Sequence, residues 1–515
     1  MDLPFLTIPN VLAAAAPILV VLYLMVGRHW PGERAGVVGW VTAVCLSLLF
    51  FGANLPLLWV AVGRAVLLSL FVLYIIWMAL LLYHTVNEAG AIEAIGRELP
   101  LLTQDKAAQA LLLAWIFGSF LQGASGYGVP AAVVAPLLLA LGFGATEAVT
   151  MALIGHAWAV TFGSLGSSFL SLVAATGLPG EELAGPTAVM LAVCCLGSGL
   201  SVLWLAGGST AVRQRGLFLL GMTAVMAGTQ WAAARAGLWT LAAFGAGLAG
   251  LVAAIFLFTR RRPAQTAGFQ ARRFAAAFAP YAILIGVVLI GQFVLGDFLG
   301  QVQINAWFPG VTTDFGWQTA AGPGRSIDLF GHGGALLLYA SLLAFAWFRW
   351  RGVFPAADGR LRVYDGRTML RRTWRGSLKP TVGIFTLVAM ATVMQHAGMT
   401  QLLAVALSSV AGPVYPLVSP FIGALGAFMT GSNTNSNVVF GELQRQTAVT
   451  LGLPVPIILA AQTAGGAVGS TFAPAKVIVG CSTAPGADDG RVLRLTAVYG
   501  LGIILAVALV AWLLA

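Results

Sequence analysis

Apolar runs long enough to enter a lipid bilayer recur along this chain and decide what it can fold into. They lie at 11–26, 65–82, 217–230, 238–258, 281–294, 334–348 and 493–514. A helical span needs about 20 predominantly apolar residues. Counting interrupted segments as well, the pattern predicts roughly 12–14 membrane-crossing or re-entrant helices. Composition agrees, because only 9% of the 515 residues are charged and 59% are hydrophobic. A soluble domain carries about 25% charged residues, so this chain lacks the polar surface to cover its own core in water. The fold class is therefore an all-α integral membrane protein in the plasma membrane, read as one polytopic domain over 1–515. The N-terminal MDLPFLTIPN has no basic region, so the first run is expected to stay as a span. Cys45, Cys194, Cys195 and Cys481 lie in or beside apolar segments without metal-like spacing, and read as small core hydrophobes.

The net charge of +10 follows the membrane rather than nucleic acid. Arg260, Arg261, Arg262, Arg272 and Arg273 crowd one short loop. A second loop, 349–379, holds Arg360, Arg362, Arg367, Arg371, Arg372, Arg375 and Lys379, with Asp358 and Asp365 as its acids. Cytoplasmic loops carry such an excess. The connection between these loops, 297–328, has Arg325 as its single basic residue and several aromatics, which is the character of an outer loop.

Two interruptions break the apolar pattern alike: GSFLQGASGYGVP at 118–130 and GAFMTGSNTNSNVVF at 426–440. Backbone that leaves the helix at bilayer depth must line a cavity or be buried in protein, so each reads as a discontinuous helix or a hairpin tip. The register extends upstream, where Gly90 and Gly398 both follow Ala and both lie 28 residues before their motif. Downstream, His156 and the following Gly163–Ser164 align with Gln462 and Gly469–Ser470. The chain thus reads as two pseudo-repeated halves, approximately 60–175 and 375–480, whose relative orientation the sequence leaves open. Paired interrupted segments of this kind point to a transporter's binding site.

Chemistry concentrates at the same places. Thr430, Ser432, Asn433, Thr434, Asn435, Ser436 and Asn437 form a polar run that one helix face cannot satisfy. It reads as an unwound solute-binding segment; a plain extramembrane loop has similar composition. In the first break, Gly123, Gly126 and Gly128 permit close backbone approach, while Gln122, Ser125 and Tyr127 supply polar groups; packing of small residues is the bland alternative. Helix N-termini freed by such breaks would suit an anion. Lys476 follows the last break and could pair with a substrate carboxylate or with Glu442, or snorkel to an interface. His156 and its counterpart Gln462 are further candidates, His156 also for carrying a proton. His396, Glu88 and Arg64 are weaker ones. No catalytic, cofactor or metal motif is present: H-E-x-x-H, the phosphate-binding G-x-x-x-x-G-K-[ST] and Cys/His clusters are all missing.

FGSFLQGASGYGVPAAVVAPLLLALGF (117–143), HAWAVTFGSLG (156–166), ALGAFMTGSNTNSNVVFGELQ (424–444) and AAQTAGGAVGSTFAP (460–474) resemble the motifs of the L-lactate permease family. The resemblance covers nearly the whole chain. It implies import of a small 2-hydroxymonocarboxylate, such as lactate or glycolate, in symport with protons, with binding elements at 123–128 and 431–437. The departures are Gln122 where the family usually has Glu, Tyr127 for Phe, Lys476 for Gln, and Glu442 at a commonly small or polar position. His156, Glu442 and Lys476 are the groups left to couple protons. The alternatives are another small organic anion with sodium coupling, a membrane-embedded enzyme using His156, Glu442 and Lys476, and a passive channel.

Overall fold

The computed structural model describes residues 6–261, 270–355, 362 and 364–515, Tyr127 excepted. Tyr127, Arg262, Asp358 and Arg360 of the expectations above lie outside the described residues. Among those described, 12 helices are long and apolar enough to cross a membrane, or 13 if one pair bent by 52° counts as a single span. The chain is a multi-pass membrane protein.

Two long helices frame the site. Leu55–Glu88 is opened by the Asn54 side chain, which accepts from Leu57 N at 3.1 Å. Gly366–His396 is opened by Asp365, whose carboxylate accepts from the backbone of Arg367 and Thr368 and is held below its usual pKa by those bonds, Thr368's first. Each helix ends before a glycine in the left-handed region, Gly90 at φ 75° and Gly398 at φ 80°. At 34 and 31 residues and about 1.5 Å per residue, both outreach a hydrocarbon core of about 30 Å. They pack antiparallel: Glu88 at the end of one pairs with Arg372 near the start of the other, and Trp77 Nε1 donates to Thr381 Oγ1 at 2.9 Å midway. At the opposite face, Asn54 donates to Thr312 O, and Trp317 packs on Gly398.

The two faces differ in charge. Glu93 pairs with Arg97 and Arg362, Asp105 with Arg215, and Glu88 with Arg372, all on the basic face. This is the cytoplasmic side by the distribution of arginines. On the other face, 303–328 folds into a nested antiparallel hairpin with paired strands Gln303–Ile304 with Ile327–Asp328, Trp307–Phe308 with Gly322–Pro323, and Val311–Thr312 with Gln318–Thr319. This small hairpin is an addition to the all-α membrane fold that the sequence predicted; residues such as Trp307, Phe308 and Val311 favour extended pairing, and Gly316, at φ 89°, lies in the turn.

Helix Gly180–Arg235 doubles back at Gly207–Gly208, where Gly208 takes φ 60°, so 180–206 and 209–235 run antiparallel. Gly185 accordingly lies beside Arg235, and Gly199 beside Leu219.

Each long helix precedes the same order of elements. After Leu55–Glu88 come the short helix Ala91–Glu98 and a helical arm, Lys106–Ala124. A break and the second arm Val129–Ala140 follow, then the broken pair Ala145–Gly155 and Gly163–Thr176. After Gly366–His396 come Met399–Ala411, the arms Tyr415–Thr430 and Asn433–Thr450, and the broken pair Val455–Gly469 and Pro474–Ser482. The two arms of each set form a hairpin. Lys106 Nζ lies 6.0 Å from the Phe143 ring centroid, so the first hairpin begins and ends at the basic face. Tyr415 clusters with Ala448 and Ile458, so the second begins and ends together as well. A 12-residue arm such as Val129–Ala140 rises only about 18 Å and cannot span a bilayer. Its turning point is therefore inside the protein.

Candidate functional site

The two turning points meet. Gln122 and Gly128 from the first hairpin, Thr430–Asn435 from the second, Ser164, Ser167 and Ser168 from the first broken pair, and Lys476 from the second line one cavity of about 320 Å³. Glu33 and Lys379 stand at the end of the cavity toward the basic face.

Each break is built by its own sequence. In the first, Ser125 leaves the helix, Gly126 takes φ 65°, and Gly128 takes φ 82° to start Val129–Ala140. A side chain at Gly126 would collide with Ser164 Oγ, so close approach as well as φ requires glycine there. In the second, Gly431 takes φ 67° and Ser432 caps Asn433–Thr450 by accepting from Asn435 N at 3.4 Å. In the first broken pair, three consecutive residues are left-handed: Ser164 (φ 46°), Leu165 (φ 55°) and Gly166 (φ 81°). Leu in that region costs about 1–2 kcal/mol, so the turn is held by its surroundings rather than by propensity.

The consequence is that helix N-termini converge. Val129–Ala140 starts at Gly128, Asn433–Thr450 starts at Ser432, and Pro474–Ser482 carries Lys476 in its first turn. The regular part of Gly163–Thr176 begins at Ser167. All four starts line the cavity. First-turn N–H groups lack helical partners, and each N-terminus carries about half a positive charge. Lys476 Nζ adds a full one; it donates to Ser470 Oγ at 2.9 Å and has no carboxylate partner among the described residues. This arrangement can hold an anion. Three lining residues, Gln122, Asn433 and Asn435, have an amide oxygen buried without a hydrogen-bond partner among the described residues; that of Asn433 packs against Gly466, which leaves Gln122 Oε1 and Asn435 Oδ1 to accept from a hydroxyl.

The remaining candidates divide by what they touch. Asn433 Nδ2 donates to Thr161 Oγ1 (3.1 Å) and Thr463 Oγ1 (3.2 Å). Asn437 Nδ2 donates to Ser168 O (2.9 Å) and Thr463 Oγ1 (2.8 Å), and Thr434 Oγ1 meets Ser168 Oγ at 3.0 Å. These bonds tie the second hairpin to the broken pairs. Thr430 Oγ1 donates to Gly426 O and Ser125 Oγ to Leu121 O, so both hydroxyls are spent on their own helix ends. Gln462, Ser436, Gln444 and Tyr415 form a buried chain behind the cavity. Tyr415 Oη donates to Gln444 Oε1 (2.6 Å), Gln444 Nε2 to Gln462 Oε1 (2.8 Å), and Gln462 Nε2 to Ser436 Oγ (3.1 Å). Gly123 packs on the backbone of Phe244. His156 is buried off the lining with Nδ1 at 2.7 Å from Ala152 O and Nε2 unpartnered. Glu442 is not beside Lys476: Arg445 Nε and Nη2 each donate to it at 2.7 Å, and it lines a different cavity. Sequence reasoning missed Ser167, Ser168, Thr161 and Thr463, whose residue types are unremarkable in helices and whose role arises from the left-handed turn at 164–166.

A family model described as L-lactate permease matches residues 10–299 and 326–515. An L-lactate permease of Bacillus subtilis is 25% identical, with 98% of this chain and 95% of that protein aligned. An L-lactate permease of Escherichia coli K12 is 26% identical over 92% of this chain and 89% of its own length. The glycolate permease GlcA of the same organism is 25% identical over 92% and 90%. Among solved structures, the YdaH transporter of Alcanivorax borkumensis is similar with a TM-score of 0.45 at 16% identity, covering 88% of this chain and 86% of that one.

Proposed function

The chain belongs to the L-lactate permease family, and from that premise we propose that it imports a small 2-hydroxymonocarboxylate, L-lactate or glycolate, by proton symport. The observation that carries the reading is the convergence of four helix N-termini and the carboxylate-free Lys476 on one cavity. The substrate carboxylate is held by Lys476 and the first-turn N–H groups at 167–168 and 433–434. Its 2-hydroxyl donates to Asn435 Oδ1 or Gln122 Oε1, which otherwise lack a donor. That pairing gives the hydroxy acid an advantage over the simple acid, because an unsatisfied buried acceptor costs about 1–3 kcal/mol. Two relatives carry names that fit this chemistry, L-lactate permease and glycolate permease.

Proton movement is assigned to Lys476 and His156, since Gln122 cannot titrate and Glu442 is committed to Arg445. The two halves, approximately 60–175 and 375–480, are read as an inverted repeat. Their long helices run antiparallel and each precedes a hairpin and a broken pair, the arrangement by which transporters alternate access around a fixed site.

Sodium coupling is the second reading. The buried amide oxygens of Asn433 and Asn437 have no donor and are hard ligands that suit an alkali cation. Counterflow in proteoliposomes tests the substrate class. Preloaded L-lactate should drive uptake of labelled lactate, with glycolate competing and acetate competing at least tenfold less well. Equal competition by acetate would remove the proposed role of the hydroxyl, and a sodium requirement would favour the second reading.

A further inference from the structure

A second cavity, also of about 320 Å³, lies on the face opposite the basic loops, between the start of Leu55–Glu88, the β hairpin and the ends of Gly163–Thr176 and Gly366–His396. That face is poor in cations, yet Arg64, Arg325 and Arg445 all line this cavity. Arg445 is neutralised by its two bonds to Glu442. The other two have no carboxylate at ion-pair distance among the described residues. Arg64 Nη2 donates only to the carbonyls of Ala320 (3.3 Å) and Gly322 (3.4 Å), and its guanidinium sits 5.6 Å from the Phe308 ring centroid. Arg325 is stacked 4.1 Å from the Phe71 ring centroid, and Asp328 on the same hairpin acts on it through space without forming an ion pair. Nε of both arginines is buried without a partner, as is Nε2 of His396 on the same lining. The aromatic rings fix both guanidinium planes, leaving donors preorganised for a planar carboxylate.

The two cavities are separated along Gly163–Thr176 by the residues between Ser168 and Ala174, and along Asn433–Thr450 by those between Asn435 and Glu442. Gly441 meets Leu172, where an added methyl would come within 3.0 Å of Cδ1, and Ser171 Oγ donates to Thr434 O at 3.4 Å. Asn437 donates to Ser168 O one turn further in.

We propose that the outer cavity is an anion subsite, in which Arg64 and Arg325 receive the carboxylate of a small organic acid before it passes between Leu172 and Gly441 to the central cavity. The sequence of events rests on the transport reading above; the subsite itself does not. Two cations without ion-pair partners in one recess raise the local anion concentration and supply charge-assisted hydrogen bonds.

Two measurements test this. The first is the half-saturating lactate concentration from each side of oriented proteoliposomes. Arg64→Gln with Arg325→Gln should raise it about tenfold or more from the outer side and change it less than about twofold from the basic side; Arg64→Lys, which keeps the charge but not the planar fork, should raise it by less than the double glutamine variant. An unchanged outer value would overturn the subsite. The second needs no transport. In a background with Cys45→Ala and Cys481→Ala, Thr319→Cys is labelled with anionic and cationic methanethiosulfonate reagents. The arginines should favour the anionic reagent about tenfold relative to the double glutamine variant, and added L-lactate should slow labelling only when they are present. Labelling indifferent to the arginines or to lactate overturns the subsite even if transport is intact. Arginine-dependent labelling slowed by lactate in a protein that moves neither lactate nor glycolate supports the subsite and overturns the transport reading instead.

Discussion

At the scale of single residues, side chains proposed to meet solute are distinct from those that hold the site's shape. Lys476 belongs to the first group. A charge-assisted hydrogen bond contributes about 1.5–3 kcal/mol, and each 1.4 kcal/mol is tenfold in affinity. Lys476→Gln is therefore expected to weaken lactate counterflow about 10- to 100-fold, while the protein inserts and melts normally. Gln444 belongs to the second group, bonded to Tyr415, Gln462 and the Ser419 carbonyl. Gln444→Ala should lower stability by about 1–3 kcal/mol, read as a lower midpoint of thermal unfolding in detergent. A destabilised Lys476→Gln, or a Gln444→Ala that melts like the parent, would reverse these assignments. Gln122→Glu restores a titratable group on the cavity lining and should change the pH profile of uptake; an unchanged profile would detach this position from coupling. The polar run 430–437 was legible in the sequence. Which of its members face solute was not, because Asn433, Asn435 and Asn437 differ only in helical phase and in neighbours such as Thr161 and Thr463, more than 250 residues and about 30 residues away in the chain.

At the scale of elements, the breaks do the work, and their geometry restricts what can replace their glycines. Gly126→Ala places a side chain at φ 65° against Ser164 Oγ, so transport should fall severely even though alanine is small; activity near that of the parent would show that the turn can relax. Gly441→Val thickens the barrier at Leu172. It should slow exchange between the two faces at least tenfold while leaving lactate affinity at the basic face within about twofold, measured by flux and by equilibrium binding. The interruptions at 118–130 and 426–440 were visible from composition, and so was the charge asymmetry of the loops. Their hairpin form follows from arm length, since a 12-residue arm is too short to span. The β hairpin at 303–328 and the fold-back at Gly207–Gly208 were not visible, because two-residue strands and a single glycine pair leave almost no periodic signal.

At the scale of the whole molecule, the central cavity reaches toward the basic face, where Glu33 and Lys379 line it, and on its other side Gly441 packs against Leu172. On the transport proposal, this is one state of an alternating cycle, with the proposed outer subsite on the opposite side. The family and the membrane architecture were readable from the sequence motifs, and the motifs also pointed to the breaks where the site is proposed. The antiparallel course of the two long helices Leu55–Glu88 and Gly366–His396 was not readable, because the short loops of the N-terminal region gave too little charge bias to fix its direction. The most direct test of the central claim is labelled L-lactate accumulation in sodium-free proteoliposomes with an imposed proton gradient, inside alkaline. Accumulation above the external concentration, abolished by a protonophore and reduced about 10- to 100-fold in Lys476→Gln, is the expected result. Equal internal and external lactate in folded, inserted protein, with or without the gradient, would contradict it.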